Sequence, residues 1–152
     1  MALGLNGCAT YSGAKPDFSQ KDQTSADAEY KKFELSESYF RNNGEILTTE
    51  KDGVGYSLSS IKPLLQDVSP GAKEKAEIAQ DLNIFGWLFW AGAVGAILSN
   101  SSPAVKNASW VLLAGSVALW EGGRAEMQAA AMEYNHDLRS KLTPKVTLNF
   151  NY

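Results

Sequence analysis

At 152 residues the chain has room for one domain, or for one domain with a tail. Its 14 lysines and arginines against 17 aspartates and glutamates leave a net charge of −3, too mild for a nucleic-acid partner, which calls for a clustered basic face. A single cysteine and a single histidine exclude an internal disulfide framework and any multi-cysteine metal site.

Near the start, Leu5-Asn6-Gly7-Cys8 spells the Leu-x-Gly-Cys pattern at which bacterial lipoprotein precursors are cleaved and acylated on the cysteine. Cys8 is therefore the expected lipidation site, carrying palmitate or a similar chain, with a free thiol near a frayed terminus as the alternative. Ala2-Leu3-Gly4-Leu5 reads as the end of a signal region. The charged start and the roughly 7–15 apolar residues of a complete signal are missing, so a truncated or re-engineered precursor is expected. Residues 9–32 lack both a period and apolar mass, so 1–32 is predicted to be signal remnant, lipobox and flexible tether. One acyl chain anchors only marginally, and stable anchoring needs a second signal.

A single folded domain is expected over 33–152. Leu35, Glu37 and Tyr39 alternate with polar neighbours, Asn43-Gly44 suits a tight hairpin turn, and residues 45–49 make a return strand. Lys51-Asp52-Gly53 is a second turn signal before Val54-Gly55-Tyr56, which completes a β-meander over 33–58. A short helix follows at 59–68, capped by Ser59 or Ser60 and tolerating Pro63 in its first turn.

Ser69-Pro70 opens the next helix in the same way. That helix is polar through Asp81 and wholly apolar from Ile84 to Leu98. A second long helix reverses the order, apolar from Ala108 or Ser109 to Trp120 and polar from Glu121 through Lys141. Folded as an antiparallel hairpin over 70–142, with Asn100-Ser101-Ser102-Pro103 at the turn, the apolar halves meet at a tip (84–120) and the polar halves at a base. All four tryptophans lie in the tip. At about 1.5 Å per residue each apolar half is roughly 20–22 Å long, against about 30 Å of hydrocarbon in a typical bilayer. A polar turn held at mid-membrane is costly, which leaves a thinned bilayer, a water-filled lumen or a position among headgroups.

The expected membrane contacts are Ile84, Phe85, Trp87, Leu88, Phe89, Trp90, Val94, Ile97, Leu98, Trp110, Leu112, Leu113, Val117, Leu119 and Trp120. Gly86, Ala91, Gly92, Gly95, Ala96, Ala114, Gly115 and Ala118 are the expected helix-packing positions, because small residues four apart let backbones approach closely in lipid. A tight soluble hairpin would use the same small residues, but indole rings prefer the interface between water and lipid. Val146, Leu148, Phe150 and Tyr152 alternate with Thr147, Asn149 and Asn151, which predicts a strand over 145–152 that joins the meander. The expected class is thus α+β: a long antiparallel helical hairpin with an apolar membrane-facing tip, plus a small antiparallel sheet that includes the C-terminal strand.

Signs of chemistry are sparse. His136 stands beside Asp137, and neighbours on a helix point in different directions, so no relay is expected. The chain contains no HExxH, GxSxG or P-loop pattern. Gly122-Gly123 suits a kink at the membrane boundary, and Lys106, Arg124 and Lys141 flank the apolar segments, as headgroup contacts or simply solvated. The reading is non-enzymatic, with no catalytic residue, metal, cofactor or small-molecule substrate.

Several short motifs recur in a telling order: Tyr39-Phe40-Arg41-Asn42-Asn43-Gly44, then Ser59-x-Ile61-x-Pro63-Leu64-Leu65, the glycine-rich apolar hairpin, and Ala131-Met132-Glu133-Tyr134-Asn135. This order resembles small Gram-negative outer-membrane lipoproteins with a glycine-rich hydrophobic hairpin, and among them the lipid-trapping, ring-forming outer-membrane proteins of predatory bacteria. The resemblance spans roughly residues 33–140. It implies a homo-oligomeric ring that embeds in and holds membrane lipid, lipid-anchored to the outer membrane with its folded part facing the periplasm. Membrane lipid and further copies of the chain are the expected partners. Alternatives are a soluble periplasmic interaction or accessory module, and a pore-forming membrane oligomer.

Overall fold

A computed structural model describes residues 11, 13–20, 22–35, 46–48, 55–99 and 102–143. In chain order the elements are α1 (Gln23–Phe33), β1 (Ile46–Thr48), β2 (Gly55–Ser57), α2 (Leu58–Val68), α3 (Pro70–Leu98) and α4 (Pro103–Leu142). The helices dominate, and the expected α+β class is overturned. Regular β structure among the described residues is a single antiparallel pair of three-residue strands, with Ile46 opposite Ser57, Leu47 opposite Tyr56 and Thr48 opposite Gly55. Two such strands cannot make a layer with a face to bury. Cys8, Glu37, Tyr39, Asn43-Gly44 and the alternation from Val146 to Tyr152 lie outside the described residues.

Of the first expected strand only its start at Leu35 is described, and that residue forms a single β bridge. Its side chain is buried, and its backbone is also paired by a side chain. The Leu35 N–H donates to Asn135 Oδ1 at 2.9 Å, and Asn135 Nδ2 donates to the Leu35 carbonyl at 2.7 Å. One amide group on α4 thus satisfies both backbone groups of Leu35, which lets an extended residue be buried against a helix.

The stretch predicted to be tether contains α1. Asp22 caps it, its carboxylate accepting from the Ser25 backbone N–H and from Ser25 Oγ, each at 2.8 Å. Ala26 and Phe33 are buried, with Tyr30 half-buried between them at helical spacing, and this narrow stripe lies on α4. The Arg139 guanidinium sits 5.2 Å from the Tyr30 ring centre. Three apolar residues in an otherwise polar segment are enough for a helix once a long neighbour supplies the other half of the contact.

α2 starts at Leu58, before either serine proposed as its cap, and encloses Pro63. A single residue, Ser69, joins it to α3. Its N–H donates to the Leu65 carbonyl at 2.7 Å, closing α2, while its Oγ accepts from the Ala72 N–H at 3.3 Å, capping α3 as expected. Lys141 reaches from the end of α4 to the Asp67 and Val68 carbonyls, at 3.1 and 2.6 Å. It therefore neutralises the C-terminal end of α2 and is not available to headgroups.

The core lies entirely at the base of the hairpin. Phe33 and Leu35, then Leu58, Ile61, Leu64, Leu65 and Val68 of α2, pack on Ala72, Ala76 and Ala79 of α3 and on Met127, Ala130, Ala131, Tyr134, Leu138 and Leu142 of α4. Among the described residues, none between 84 and 120 belongs to it. The halves of α3 and α4 that carry the charges hold the core, and the oily halves stand clear of it.

Candidate functional site

What holds the oily halves together is a seam one residue wide. Along the seam the buried residues are Ala72, Ala76, Ala79, Asn83, Gly86 and Ala93 on α3 and Ser109, Ser116, Gly123, Met127, Ala130 and Tyr134 on α4, which at the base also buries Ala131, Asn135, Leu138 and Leu142. Steps of three and four alternate, as in a coiled coil. Two close approaches set the register: a Cβ on Gly86 would lie 2.5 Å from the Trp120 ring, and one on Gly123 would lie 3.0 Å from the Ala79 carbonyl oxygen. Both approaches set small residues against each other: a Cβ on Gly86 would also lie 3.3 Å from the Ser116 carbonyl oxygen, as one on Gly123 would lie against Ala79. Small residues at these two levels let the backbones approach closely, and the Trp120 ring fills the space over Gly86.

The small-residue pairs singled out from sequence mostly sit elsewhere. Gly86 is in the seam, and Gly115 lies under Phe89, whose ring would be 3.6 Å from a Cβ there. Ala91, Gly92, Gly95, Ala114 and Ala118 are exposed, and Ala96 is half-buried. A repeat of four drifts around a helix, whereas alternating three and four stays on one face, so pairs spaced by four picked the wrong side. Gly122-Gly123 does not break α4, which runs unbroken from Pro103 to Leu142. Gly123 instead provides the close approach to α3, and Gly122 lies under Leu82.

Outside the seam the distal half is bare. Ile84, Phe85, Trp87, Leu88 and Phe89 are all exposed, and in that run only Gly86 turns inward. At 100° per residue those five point in every direction except the seam. Trp90 and Leu98 on α3, and Trp110, Val111, Leu112 and Val117 on α4, extend the surface toward the tip, with Val111 72% exposed and Trp110 63%. Val94, Ile97, Leu113, Leu119 and Trp120 are half-buried. Of these, Ile97, Leu113 and Trp120 fall at seam spacing. Only 17% of the most apolar stretch of α3 is buried, which distinguishes it from the core helix of a water-soluble domain. Sequence reasoning missed Val105 and Val111, both exposed, although their place beside the apolar run was a usable signal.

Aromatic rings cluster where the sleeve meets the base. Trp87 makes edge contacts with Trp90, centroids 5.6 Å apart, and with Trp120 at 5.3 Å. Asn83 Nδ2 and Trp120 Nε1 are buried there, and neither donor has a partner among the described residues. Glu121 and Arg124 pair at 3.7 Å on the outside of α4.

A second cluster looks like chemistry at first sight. Contrary to the expectation from helix geometry, His136 Nδ1 does come within 3.2 Å of Asp137 Oδ1, while Ser69 Oγ donates to Asp137 Oδ2 at 2.6 Å. The order is serine, aspartate, histidine. A nucleophilic serine needs the histidine as its direct partner, and here Ser69 is fully buried while His136 is exposed. The serine hydrogen bond comes first among the causes that hold the Asp137 carboxyl below its usual range, so the cluster is a helix junction. Among the described residues no three metal-binding side chains converge.

No family model, curated protein or solved structure matches this chain, so its function has to be read from the sleeve itself.

Proposed function

We propose that the chain is a non-enzymatic membrane protein whose helical hairpin embeds its distal half in lipid, with the base as a platform in water. One observation carries this reading: the apolar surface surrounds the hairpin on all its outward sides. A protein partner covers one face of a helix, whereas a sleeve is covered only by a surrounding medium. At about 25 cal/mol per Å² of apolar area, side chains as exposed as Leu88 and Trp110 strongly favour leaving water. The Leu5-Asn6-Gly7-Cys8 motif supports an acyl anchor beside the hairpin and, with it, an outer-membrane location.

Self-assembly into a lipid-holding ring is the finer form of the proposal. What favours it is Gly92 and Gly95, where a Cβ would meet nothing within 4 Å. Exposed glycine inside a helix is destabilising by roughly 0.5–1 kcal/mol relative to alanine, and in lipid such a face admits the close approach of a second copy. Membrane fractionation of the full chain tests the reading. Recovery in the membrane fraction, release only by detergent, and co-purified lipid in a particle of several copies are expected. A lipid-free monomer in the aqueous fraction would overturn it.

A further inference from the structure

We infer that the hairpin crosses its membrane completely, through an apolar layer about 25 Å thick, and delivers its tip to water on the far side; this rests on the lipid-embedded reading above. Charge stops at one level of the hairpin and resumes at another. At the waist, Asp81 on α3 and the Glu121–Arg124 pair on α4 stand at nearly the same level of the hairpin. At the other end Lys106 is exposed, together with Ser102 and Asn107. From Asp81 to Ser99 the helix rises about 27 Å, and from Lys106 to Glu121 about 22 Å. That interval is short of the roughly 30 Å of a typical bilayer and matches the roughly 25 Å apolar band of outer-membrane barrels.

Three of the four tryptophans lie toward the ends of the interval, while Trp90 lies near its middle. Trp87 and Trp120 touch at the waist, and Trp110 lies one turn from Lys106. Indole rings collect at the two interfaces of a membrane, not at its centre. The tip itself is built for water. Ser99 Oγ donates back to the Ala96 carbonyl at 2.9 Å and Ser102 caps α4, yet the remaining backbone groups of two helix ends converge there beside a lysine. Halting in mid-membrane would place all of these in hydrocarbon, where nothing satisfies them. Lying flat would leave half of the sleeve in water. Crossing a thin layer satisfies both the sleeve and the tip.

Site-selective labelling decides the matter. In the full chain with Cys8→Ser, a cysteine is introduced at the exposed tip (Ala104→Cys) or at the exposed base (Gln128→Cys). Each variant is added to sealed vesicles of 14-carbon phosphatidylcholine, and a membrane-impermeant maleimide is supplied outside or trapped within. The base variant is expected to react only from outside and the tip variant only from within, both with blue-shifted tryptophan emission. A tip that reacts from neither side until detergent is added, with the emission still shifted, means half-insertion; it overturns the crossing and leaves the lipid reading standing. Tip and base both reacting from outside, with emission unchanged by vesicles, overturns both.

Discussion

Alanine at Gly86 and alanine at Gly92 should move stability in opposite directions, although both glycines sit in the apolar half of α3. At Gly92 the new methyl meets nothing within 4 Å. Within a single copy of the chain the change therefore acts through helix propensity alone, and in detergent-dispersed monomer it should stabilise by about 0.5–1 kcal/mol. At Gly86 the same methyl would lie 2.5 Å from Cδ1 and Nε1 of the Trp120 ring and 3.3 Å from the Ser116 carbonyl oxygen. The indole has to move, and moving it disturbs the edge contact with Trp87 at 5.3 Å. Overpacking costs about 1–3 kcal/mol and a lost aromatic pair about 0.5–1.5 kcal/mol, against a propensity gain of up to about 1 kcal/mol. The net is a loss of roughly 1–3 kcal/mol. Thermal unfolding of the detergent-solubilised chain, followed by far-ultraviolet circular dichroism, reads this as a melting point roughly 2–10 °C lower for Gly86→Ala and slightly higher for Gly92→Ala. Equal shifts of the same sign would refute the seam and its register.

Other expectations follow from the sleeve, the base and the helix junction. Replacing Phe85, Leu88 and Trp110 together by glutamine removes roughly 1–2 kcal/mol of transfer energy at each position, scaled from full burial by their exposure. Vesicle partitioning measured by flotation should fall by about two to four powers of ten, while the base keeps its helicity; unchanged flotation would count against the sleeve. Asn135→Ala strands the buried Leu35 N–H and carbonyl and should destabilise by roughly 2–4 kcal/mol, and a melting point within a degree of the parent would refute that pairing. Because the Asp137 carboxyl titrates lower in the folded chain than its ordinary value of 3.8, it adds stability above that pH and loses it as pH falls through the folded value. Asp137→Asn should flatten this acid limb, at a neutral-pH cost of no more than about 1 kcal/mol, since the carboxylate is 36% exposed and screened. An acid limb identical in parent and variant would remove Asp137 from the account.

The hairpin was legible because its signals are local and strong: Ser69-Pro70 at the cap, unbroken apolar runs, and a mirror-image order of polar and oily halves. The seam was harder. Its alternating step passes through Asn83, Ser109 and Ser116, polar residues that mask the period, while the more visible small pairs lie on exposed faces. α1 was hidden because Ala26, Tyr30 and Phe33 mean little until α4 is placed beside them. What holds Leu35 in place was hidden for a long-range reason, since the partner of its N–H is a side chain one hundred residues away in sequence. His136 and Asp137 do meet, because flexible side chains can bridge directions that their Cα–Cβ bonds do not share. No local pattern could have shown that Ser69 holds the other oxygen of that carboxylate.

A lipid-embedded sleeve requires that acyl chains surround the four tryptophans when the full chain is mixed with lipid vesicles. Collisional quenching measures this directly, with bromine on the lipid acyl chains as one quencher and iodide in the water as the other. Strong quenching by the brominated chains and protection from iodide are expected. Emission that iodide reaches freely, and that brominated lipid leaves untouched, would contradict the account.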